Sequence, residues 1–230
     1  MARTQKFQSE QMLEATRALA VQLGPAEVTI AKIAATLGAP TGSIYHRFSS
    51  RDELLGQVWL NAAARYQADY HQVLSQGDPI DAAIASVRFV LSRARIDPDE
   101  SRLLMLHRRE DFLDQAWPKP MQDAGRALEA DARRQFLDFG KRLLLLGASD
   151  ATAMAGLRYA LIDVPLAAIV PALRRGKTPD ATQDHWVLAA TRAVLAELGV
   201  TAGRTHPSAN AAARTAGSKR APATSARNKN

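Results

Sequence analysis

The stretch from Thr29 to Arg51 constrains the fold more than any other part of this 230-residue chain. Thr29 can act as an N-cap, and the apolar residues that follow it recur at helical spacing on one side of a helix. These apolar residues are Ile30, Ile33, Ala34 and Leu37. Gly38 can adopt the positive φ that ends a helix, so the chain can turn at once. The segment therefore predicts a helix followed by a tight turn.

A second short helix opens at Pro40-Thr41 and is expected to bury Ile44 and Phe48. Between Val28 and Arg51 the sequence contains three cations and no carboxylate. These cations are Lys32, Arg47 and Arg51. A helix pair of this kind with an acid-free face is suited to entering a DNA major groove. DNA binding is therefore the leading hypothesis from these residues alone.

The composition limits the classes of protein that the chain can belong to. It has no cysteine, which excludes disulfides and thiolate metal sites. Its first residues contain no apolar signal segment. The longest apolar run, Tyr159 to Leu173, is interrupted by Asp163 and two prolines, and it is shorter than the ~20 residues that a membrane span needs. We therefore expect a cytoplasmic, soluble protein.

The formal net charge of +7 is concentrated in residues 201–230, which carry six cations and no acid. The rest of the chain is close to neutral, so overall basicity adds little to the case for DNA binding. This last segment lacks large apolar side chains, and we expect it to be a disordered basic tail. A tether that adds sequence-independent attraction to phosphates is the alternative.

Helical periodicity dominates the sequence, and we predict an all-α fold. The first helix is expected from about Ser9 to Leu23, and a long fourth helix from about Arg51 to Leu74. One later helix is expected to end at Gly147. The next is expected to begin at Ser149-Asp150 and to bend at Pro165, and the last to run from about Ala181 to Leu198. The predicted domains are a helix-turn-helix head over residues 1–50, a helical body over 51–200 and the tail over 201–230.

The head resembles the TetR-type family of transcriptional regulators. The resemblance is carried by Thr29-Ile30-Ala31-Lys32-Ile33-Ala34, Gly38, the run from Gly42 to Phe48, and Arg51-Asp52-Glu53-Leu54-Leu55. These blocks cover about a fifth of the chain. The family plan implies a three-helix DNA-binding head and a larger helical domain for ligand binding and dimerisation.

The resemblance implies a role for each residue of the motif. Thr29, Tyr45 and Arg51 are expected to contact phosphates, although the family more often has lysine at the position of Arg51. Base contacts are expected from the exposed face of the short helix, namely Thr41, Gly42, Ser43 and His46. Arg47 could contact either a phosphate or a guanine. Double-stranded DNA with a pseudo-palindromic operator is the expected partner.

A homodimer formed by the last two helices is expected, because one such head buries little groove surface. The apolar residues on those helices could form this interface or belong to the core of the subunit. They are Ala155, Leu157, Leu161, Ile169, Val187, Leu188, Val194 and Leu195.

The family plan also implies a small-molecule effector pocket in the body, for a mostly apolar ligand. Each of its candidate lining residues could instead be ordinary core, which is the more common role for such side chains. They are Phe89, Met105, His107, Phe112, Trp117, Met121, Phe136 and Tyr159. Asp163, if buried, would need a polar partner.

We therefore predict a ligand-responsive DNA-binding regulator, acting as a repressor, that needs no cofactor and no metal. A DNA-binding architectural protein without small-molecule control is the alternative. A helical enzyme using His107 and Asp111, four residues apart, is a more remote one, since no nucleophile elbow or phosphate loop is present.

Overall fold

Every regular element in the described part of the chain is a helix. The computed structural model describes residues 8–112, 117–144 and 151–200. The predicted helix end at Gly147, the predicted cap at Ser149-Asp150 and the tail 201–230 lie outside these ranges.

The N-terminal head is built from three helices connected by short segments. They are α1 (Ser9–Leu23), α2 (Ile30–Leu37) and α3 (Thr41–Tyr45), with a 3-10 turn at Pro25–Glu27 between α1 and α2. The α2 helix begins as predicted, since Thr29 Oγ1 accepts a hydrogen bond of 3.2 Å from the backbone N–H of Lys32. It ends at Gly38, whose φ of 59° lies in the left-handed region. The predicted inward positions Ile44 and Phe48 are both buried.

Helix α4 (Arg51–Ser75) connects the head to the rest of the molecule. Its first turn is held by a reciprocal cap in which Ser50 Oγ accepts from the Glu53 N–H at 3.0 Å and Glu53 accepts from the Ser49 N–H at 2.6 Å. At 25 residues the helix is about 37 Å long, from a rise of about 1.5 Å per residue. One element therefore extends from the head deep into the body.

The body consists of helices from α5 onward. They are α5 (Pro79–Ile96), α6 (Pro98–Met105), α7 (Lys119–Leu144), α8 (Ala151–Arg158), α9 (Val164–Arg174) and α10 (Asp184–Glu197), with a 3-10 turn at Arg109–Phe112 before α7. Aspartates cap two of these helices, because Asp78 accepts from the Ile80 N–H and Asp97 from the Glu100 N–H. The last helix begins at Asp184 rather than at Ala181.

A π-helical turn over Tyr159–Asp163 joins α8 to α9, at the place where we expected a bend at Pro165. Proline has no N–H to donate to the preceding turn, and the wider turn adapts the backbone to this loss. The buried Thr191 hydroxyl of α10 donates to Ala160 O at 3.2 Å, which ties α10 to this irregular turn.

The apolar side chains form two clusters that share α4. The head core combines the head helices with Leu54, Leu55 and Val58 of α4, and it also takes in Leu103 of α6 and Phe112. The body core packs α5, α7, α8, α9 and α10 around the far end of α4. The described residues up to Val200 form one compact unit, and the domain division at residue 50 stays a prediction.

Most residues proposed for a dimer interface are buried inside the subunit. Leu157, Leu161, Ile169, Val187, Leu188 and Leu195 belong to the body core, so the alternative of intramolecular packing holds for them. Ala155 is exposed and Val194 is half-buried. These six leucine, isoleucine and valine positions face inward because α10 packs against α5, α8 and α9.

One apolar helix in the described residues, Thr152–Arg174, is long and apolar enough by composition to cross a membrane. This corrects the expectation that no segment reaches that length, since the helix continues on the N-terminal side of the apolar run counted in the sequence. An apolar 18-residue stretch of this helix has a mean hydropathy of 1.6, and a third of that stretch is buried within the subunit. Leu157, Leu161 and Ile169 are its contribution to the body core.

Candidate functional site

The turn between α2 and α3 fixes the direction in which α3 leaves the head. After the left-handed residue Gly38, the Ala39 N–H donates to Ala34 O at 2.9 Å, which closes the end of α2. Pro40 is extended and precedes the first residue of α3. Ile44 then anchors the short helix in the head core. The opposite face of α3 is therefore presented to solvent in a defined orientation.

The residues expected to contact bases lie on this outer face. Thr41, Gly42 and His46 are exposed, whereas Ser43 is half-buried and its hydroxyl donates to Pro40 O at 2.5 Å. A Cβ added at Gly42 would meet no atom within 4 Å, so this position is open towards a partner. The exposed face is small and polar, which allows the helix backbone to approach a surface closely.

Two of the residues expected to contact phosphates are well placed for that role. The Tyr45 side chain is 57% exposed, and its phenol extends from the end of α3. Thr29 is exposed and uses its hydroxyl oxygen as an acceptor in the α2 cap, which leaves the hydroxyl proton available for donation. These contacts stay predictions.

Arg51 has a different environment from the one that a phosphate contact requires. Its guanidinium donates to Val28 O at 2.5 Å and to Pro25 O at 2.6 Å, and it also pairs with Asp52 at 2.8 Å. These bonds fasten the start of α4 to the turn that precedes α2. Sequence reasoning missed this role because the accepting carbonyls are more than twenty positions away in the chain.

The positive charge that the head presents to a partner is smaller than its number of cationic residues indicates, because two of them are paired within the chain. Lys32 Nζ donates to Glu27 O at 2.7 Å and lies 3.6 Å from the Glu27 carboxylate. Arg51 is paired with Asp52. The partners of both cations come from just outside the acid-free window, so hydroxyls and backbone groups must supply much of any interaction with phosphates.

Together these features define a helix-turn-helix head on a helical body. A family model described as "Bacterial regulatory proteins, tetR family" matches residues 12–58, the span from α1 into α4. Residues 12–58 are thus a TetR-type DNA-binding domain, and the chain has the fold of a TetR-type transcriptional regulator.

Solved structures of TetR-type regulators share this fold across most of their length. The chain is similar to a TetR transcription regulator from Haloarcula marismortui (19% identity, 83% of this chain and 97% of the other, TM-score 0.60). It is similar to FadR from Bacillus subtilis in complex with stearoyl-CoA (13%, 84% and 98%, 0.59). It is also similar to SmeT, the repressor of a multidrug efflux pump of Stenotrophomonas maltophilia (20%, 89% and 98%, 0.57). A search of curated protein sequences gives no match.

The body contains a cavity of about 530 Å³ that runs along one face of α4. This volume lies within the usual range for small-molecule sites. Its wall is mostly apolar and aromatic, with contributions from α4, α5, α6, α7 and the α8–α9 segment. The apolar and aromatic lining residues are Trp59, Ala63, Tyr66, Tyr70, Leu74, Val90, Leu104, Met105, Ala132, Phe136, Ile162 and Leu166.

Two of the eight predicted pocket residues, Met105 and Phe136, line this cavity. Phe112, Trp117 and Met121 belong to the head core instead, because the start of α7 packs against the first half of α4. Tyr159 is 54% exposed. These four residues, together with Phe89 and His107, are therefore not wall residues of the cavity.

The α4 residues that do line the cavity recur at helical spacing, with Tyr66 and Tyr70 four positions apart. The rings of both tyrosines contact Phe89, which lies behind them at centroid distances of 5.4 and 5.9 Å. The tyrosine pair is a signal in the sequence, but only the rotation of α4 about its axis decides that it faces the cavity.

Two polar atoms of the cavity-lining residues are buried and have no hydrogen-bond partner among the described residues, namely Trp59 Nε1 and Tyr70 Oη. Burial raises the pKa of Tyr70 to about 12, and the nearby Ser86 hydroxyl opposes this only partly. Burial likewise raises the pKa of Tyr66. Both phenols are therefore neutral at physiological pH and can donate hydrogen bonds.

The pair suggested as an enzymatic dyad is poorly arranged for proton transfer. His107 Nδ1 lies 3.8 Å from Asp111 Oδ2, which is too long for a hydrogen bond. Burial lowers the pKa of His107, and the Asp111 charge opposes this shift. His107 instead packs edge-on against Phe112. The geometry supports a structural role.

Asp163 is partly exposed and lies 3.6 Å from Arg158. Its partner is thus a side chain of the same segment, and Arg158 itself contributes to the wall of the cavity. Among the described residues, no group of three histidine or acidic side chains is arranged to hold a metal ion.

Proposed function

We propose that this chain is a sequence-specific DNA-binding regulator that a small, mostly apolar molecule releases from its operator, so that it acts as a repressor. The proposal depends on two observations together. The outer face of α3 is exposed in a defined orientation, and the two helices α4 and α6 contribute side chains both to the head core and to the wall of the cavity. The TetR-type domain at residues 12–58 supports DNA binding.

In this proposal α3 enters the major groove, with Thr41, Gly42, Ser43 and His46 facing the bases. Thr29 and Tyr45 donate to phosphates on either side and hold the helix in register. Arg51 supports the head from within, and contacts a phosphate only if it leaves its carbonyl partners. Arg47 is half-buried and could contact a base or a phosphate.

DNA binding is tested by selecting duplexes from a random pool with the purified full-length chain at about 0.15 M salt. We expect a pseudo-palindrome with half-sites one helical turn apart, about 34–36 Å between centres. Recovery of unrelated sequences, bound only at low salt, would contradict sequence-specific recognition, because salt-sensitive binding of that kind is electrostatic.

The spacing of two half-sites requires two heads, and we propose that α8, α9 and α10 pair with those of a second copy. Small exposed side chains on these helices support this, among them Ala155, Ala167, Ala189, Ala190 and Ala193. Trp186 is 63% exposed beside them. Most of the apolar stretch of the Thr152–Arg174 helix is not buried within one subunit, and a second copy would cover this surface.

Sedimentation at micromolar concentration tests the dimer. Ala190→Arg should give a folded monomer with unchanged helical content by circular dichroism, because the side chain is exposed in the subunit. A matched exposed change away from this face, Ala64→Arg, should leave the dimer intact. A wild-type chain that sediments as a monomer would remove the basis for the two-headed complex.

Release by ligand is proposed to pass through α4 and α6. The α4 helix begins in the head core at Leu54 and lines the cavity further along, at Tyr66. The α6 helix places Leu103 in the head core and Leu104 in the cavity wall. A ligand that fits the cavity better when these helices are shifted would favour heads that no longer match successive grooves.

Two of the similar structures support this regulatory part. FadR of Bacillus subtilis was solved with stearoyl-CoA, and SmeT is a repressor of an efflux pump. An architectural DNA-binding protein would have no need of a cavity of this size. Titration of a selected operator complex with small apolar compounds separates the two, since only the regulator should release DNA.

A further inference from the structure

We propose that the effector is an elongated amphipathic carboxylate, with its charged group at the Tyr70 end of the cavity and its apolar chain extending along α4 towards the head. This inference rests on the proposed function, and it adds the chemical class and the orientation of the ligand.

The elongated shape follows from the residues that α4 contributes. Trp59 and Tyr70 both line the cavity and are eleven residues apart, which places their backbones roughly 16 Å from each other at about 1.5 Å rise per residue. Eleven residues are close to three full helical turns, so both lie on the same face of α4. A wall this long matches a chain better than a compact ring system.

The two ends of the cavity can be assigned because α7 runs in the same direction as α4. Near the head, a Cβ at Gly56 would lie 2.5 Å from Trp117 and 2.6 Å from Met121, at the start of α7. Much further along both helices, Arg142 Nη1 donates to Leu74 O. Residues 132–136 of α7 therefore lie at the Tyr70 end, away from the head.

Cationic and titratable side chains collect at this far end. Arg133 of α7 and His71 of α4 line the cavity there, and neither has an ion pair among the described residues. Arg158 also lines the cavity, although Asp163 partly neutralises it. The described residues of the wall include no carboxylate. An anionic group would therefore be attracted by Arg133, and the negative charge of Asp163 would oppose this only beside Arg158.

Tyr70 supplies an independent sign of a missing acceptor at the same end. Among the described residues its buried hydroxyl has no partner in full hydrogen-bonding geometry, although the Ser86 hydroxyl lies near it, and an unsatisfied buried donor costs free energy. A carboxylate oxygen would accept a hydrogen bond from this hydroxyl while the carboxylate charge is attracted by Arg133 and Arg158. The rest of the wall, including Leu104 and Ile162, offers apolar contact to a chain.

The probes for the test are sodium decanoate, decan-1-ol and decyltrimethylammonium, which share one chain and differ in the charge of the head group. Binding to the full-length protein is measured by calorimetry. We expect decanoate to bind at least ten-fold more tightly than the other two probes, and longer carboxylates to bind more tightly still. Equal or tighter binding of the alcohol or the ammonium would overturn the proposal.

Two variants with matched controls locate the head group. Arg133→Gln should weaken decanoate binding at least five-fold, whereas Arg126→Gln, on the exposed part of the same helix, should not. Tyr70→Phe should weaken decanoate about five-fold and leave decanol unchanged, with Tyr159→Phe as its control. If decanoate affinity is the same in Arg133→Gln and Tyr70→Phe as in the wild type, the assigned orientation is wrong.

A structural role for Tyr70 would give a different result in the absence of ligand. Because Tyr70→Phe removes an unsatisfied buried group, we expect the melting temperature to rise by about 2–4 °C while ligand affinity falls. A fall in both would contradict the proposal, since it would mean that the hydroxyl stabilises the folded chain.

DNA release, measured separately, keeps this inference distinct from the proposed function. Decanoate that binds without releasing a selected operator would contradict the ligand-responsive regulator and support the ligand class. Release by the ammonium, but not by decanoate, would support the regulator and overturn the ligand class.

Discussion

At the scale of single residues, Arg51 illustrates how a motif position can have a structural role. The family resemblance implies a phosphate contact there, but the side chain is partly buried and its guanidinium donates to backbone carbonyls of the turn before α2. Charge-assisted hydrogen bonds of this kind are stronger than neutral ones. The residue therefore supports the geometry of the head whatever else it contacts.

The two roles of Arg51 make different predictions for Arg51→Ala. We expect the free energy of unfolding to fall by about 1–3 kcal/mol in the absence of DNA, because three carbonyls lose a donor. Thermal or denaturant unfolding measures this directly. A purely phosphate-binding arginine would leave stability unchanged and would lower only DNA affinity and its salt dependence.

Tyr45 is the opposite case, since it is exposed and lies at the end of α3. Tyr45→Phe removes only the hydroxyl, so we expect stability to stay within about 0.5 kcal/mol and affinity for every DNA sequence to fall by a similar factor, about five-fold. Competition assays with matched and mismatched operators measure both quantities. A loss confined to one base pair would show instead that Tyr45 reads sequence.

At the scale of elements, the close contact of α4 with the start of α7 depends on Gly56. A methyl group there would lie within 2.7 Å of the Trp117 and Met121 side chains. Gly56→Ala should therefore destabilise the chain by about 1–3 kcal/mol, although alanine is the better helix former. Ala64→Gly, at an exposed position of the same helix, measures helix propensity alone. A stabilised Gly56→Ala variant would mean that the neighbouring side chains yield without cost.

Three helices also meet at Glu100, a buried carboxylate of α6. It accepts from Arg65 of α4 at 2.8 Å and from Arg93 of α5 at 2.6 Å. Glu100→Gln removes the counter-charge of Arg65 and leaves Arg93 with Asp69 at 3.6 Å. We expect the free energy of unfolding to fall by about 2–3 kcal/mol, since Arg65 is partly exposed to solvent. Asp138→Asn, in an exposed pair with Lys141, should cost little in the same unfolding assay. Equal effects of the two changes would contradict a central role for Glu100.

The head could be predicted from the sequence to a greater depth than the body. The Thr29 cap, the Gly38 turn and the buried Ile44 depend on neighbours within one or two turns, so local rules suffice. The cavity depends on the rotation of α4 and on the pairing of α4 with α7. Periodicity marks Phe136 and Trp117 equally as apolar, but only packing places one in the cavity wall and the other in the head core.

At the scale of the whole molecule, DNA binding and ligand binding are proposed to share one equilibrium between two arrangements of the heads. Helices α4 and α6 contribute to both the head core and the cavity wall, so a shift of either helix changes the packing at both sites. The coupling free energy between two such sites is typically about 1–3 kcal/mol, or 5–150-fold in affinity.

The most direct test is to measure this coupling in both directions with a selected operator and the amphiphile that binds most tightly. We expect saturating ligand to raise the dissociation constant of the operator by about 5–150-fold, and saturating operator to weaken ligand binding by the same factor, as linkage requires. A ligand that fills the cavity but leaves the operator dissociation constant unchanged would contradict the account.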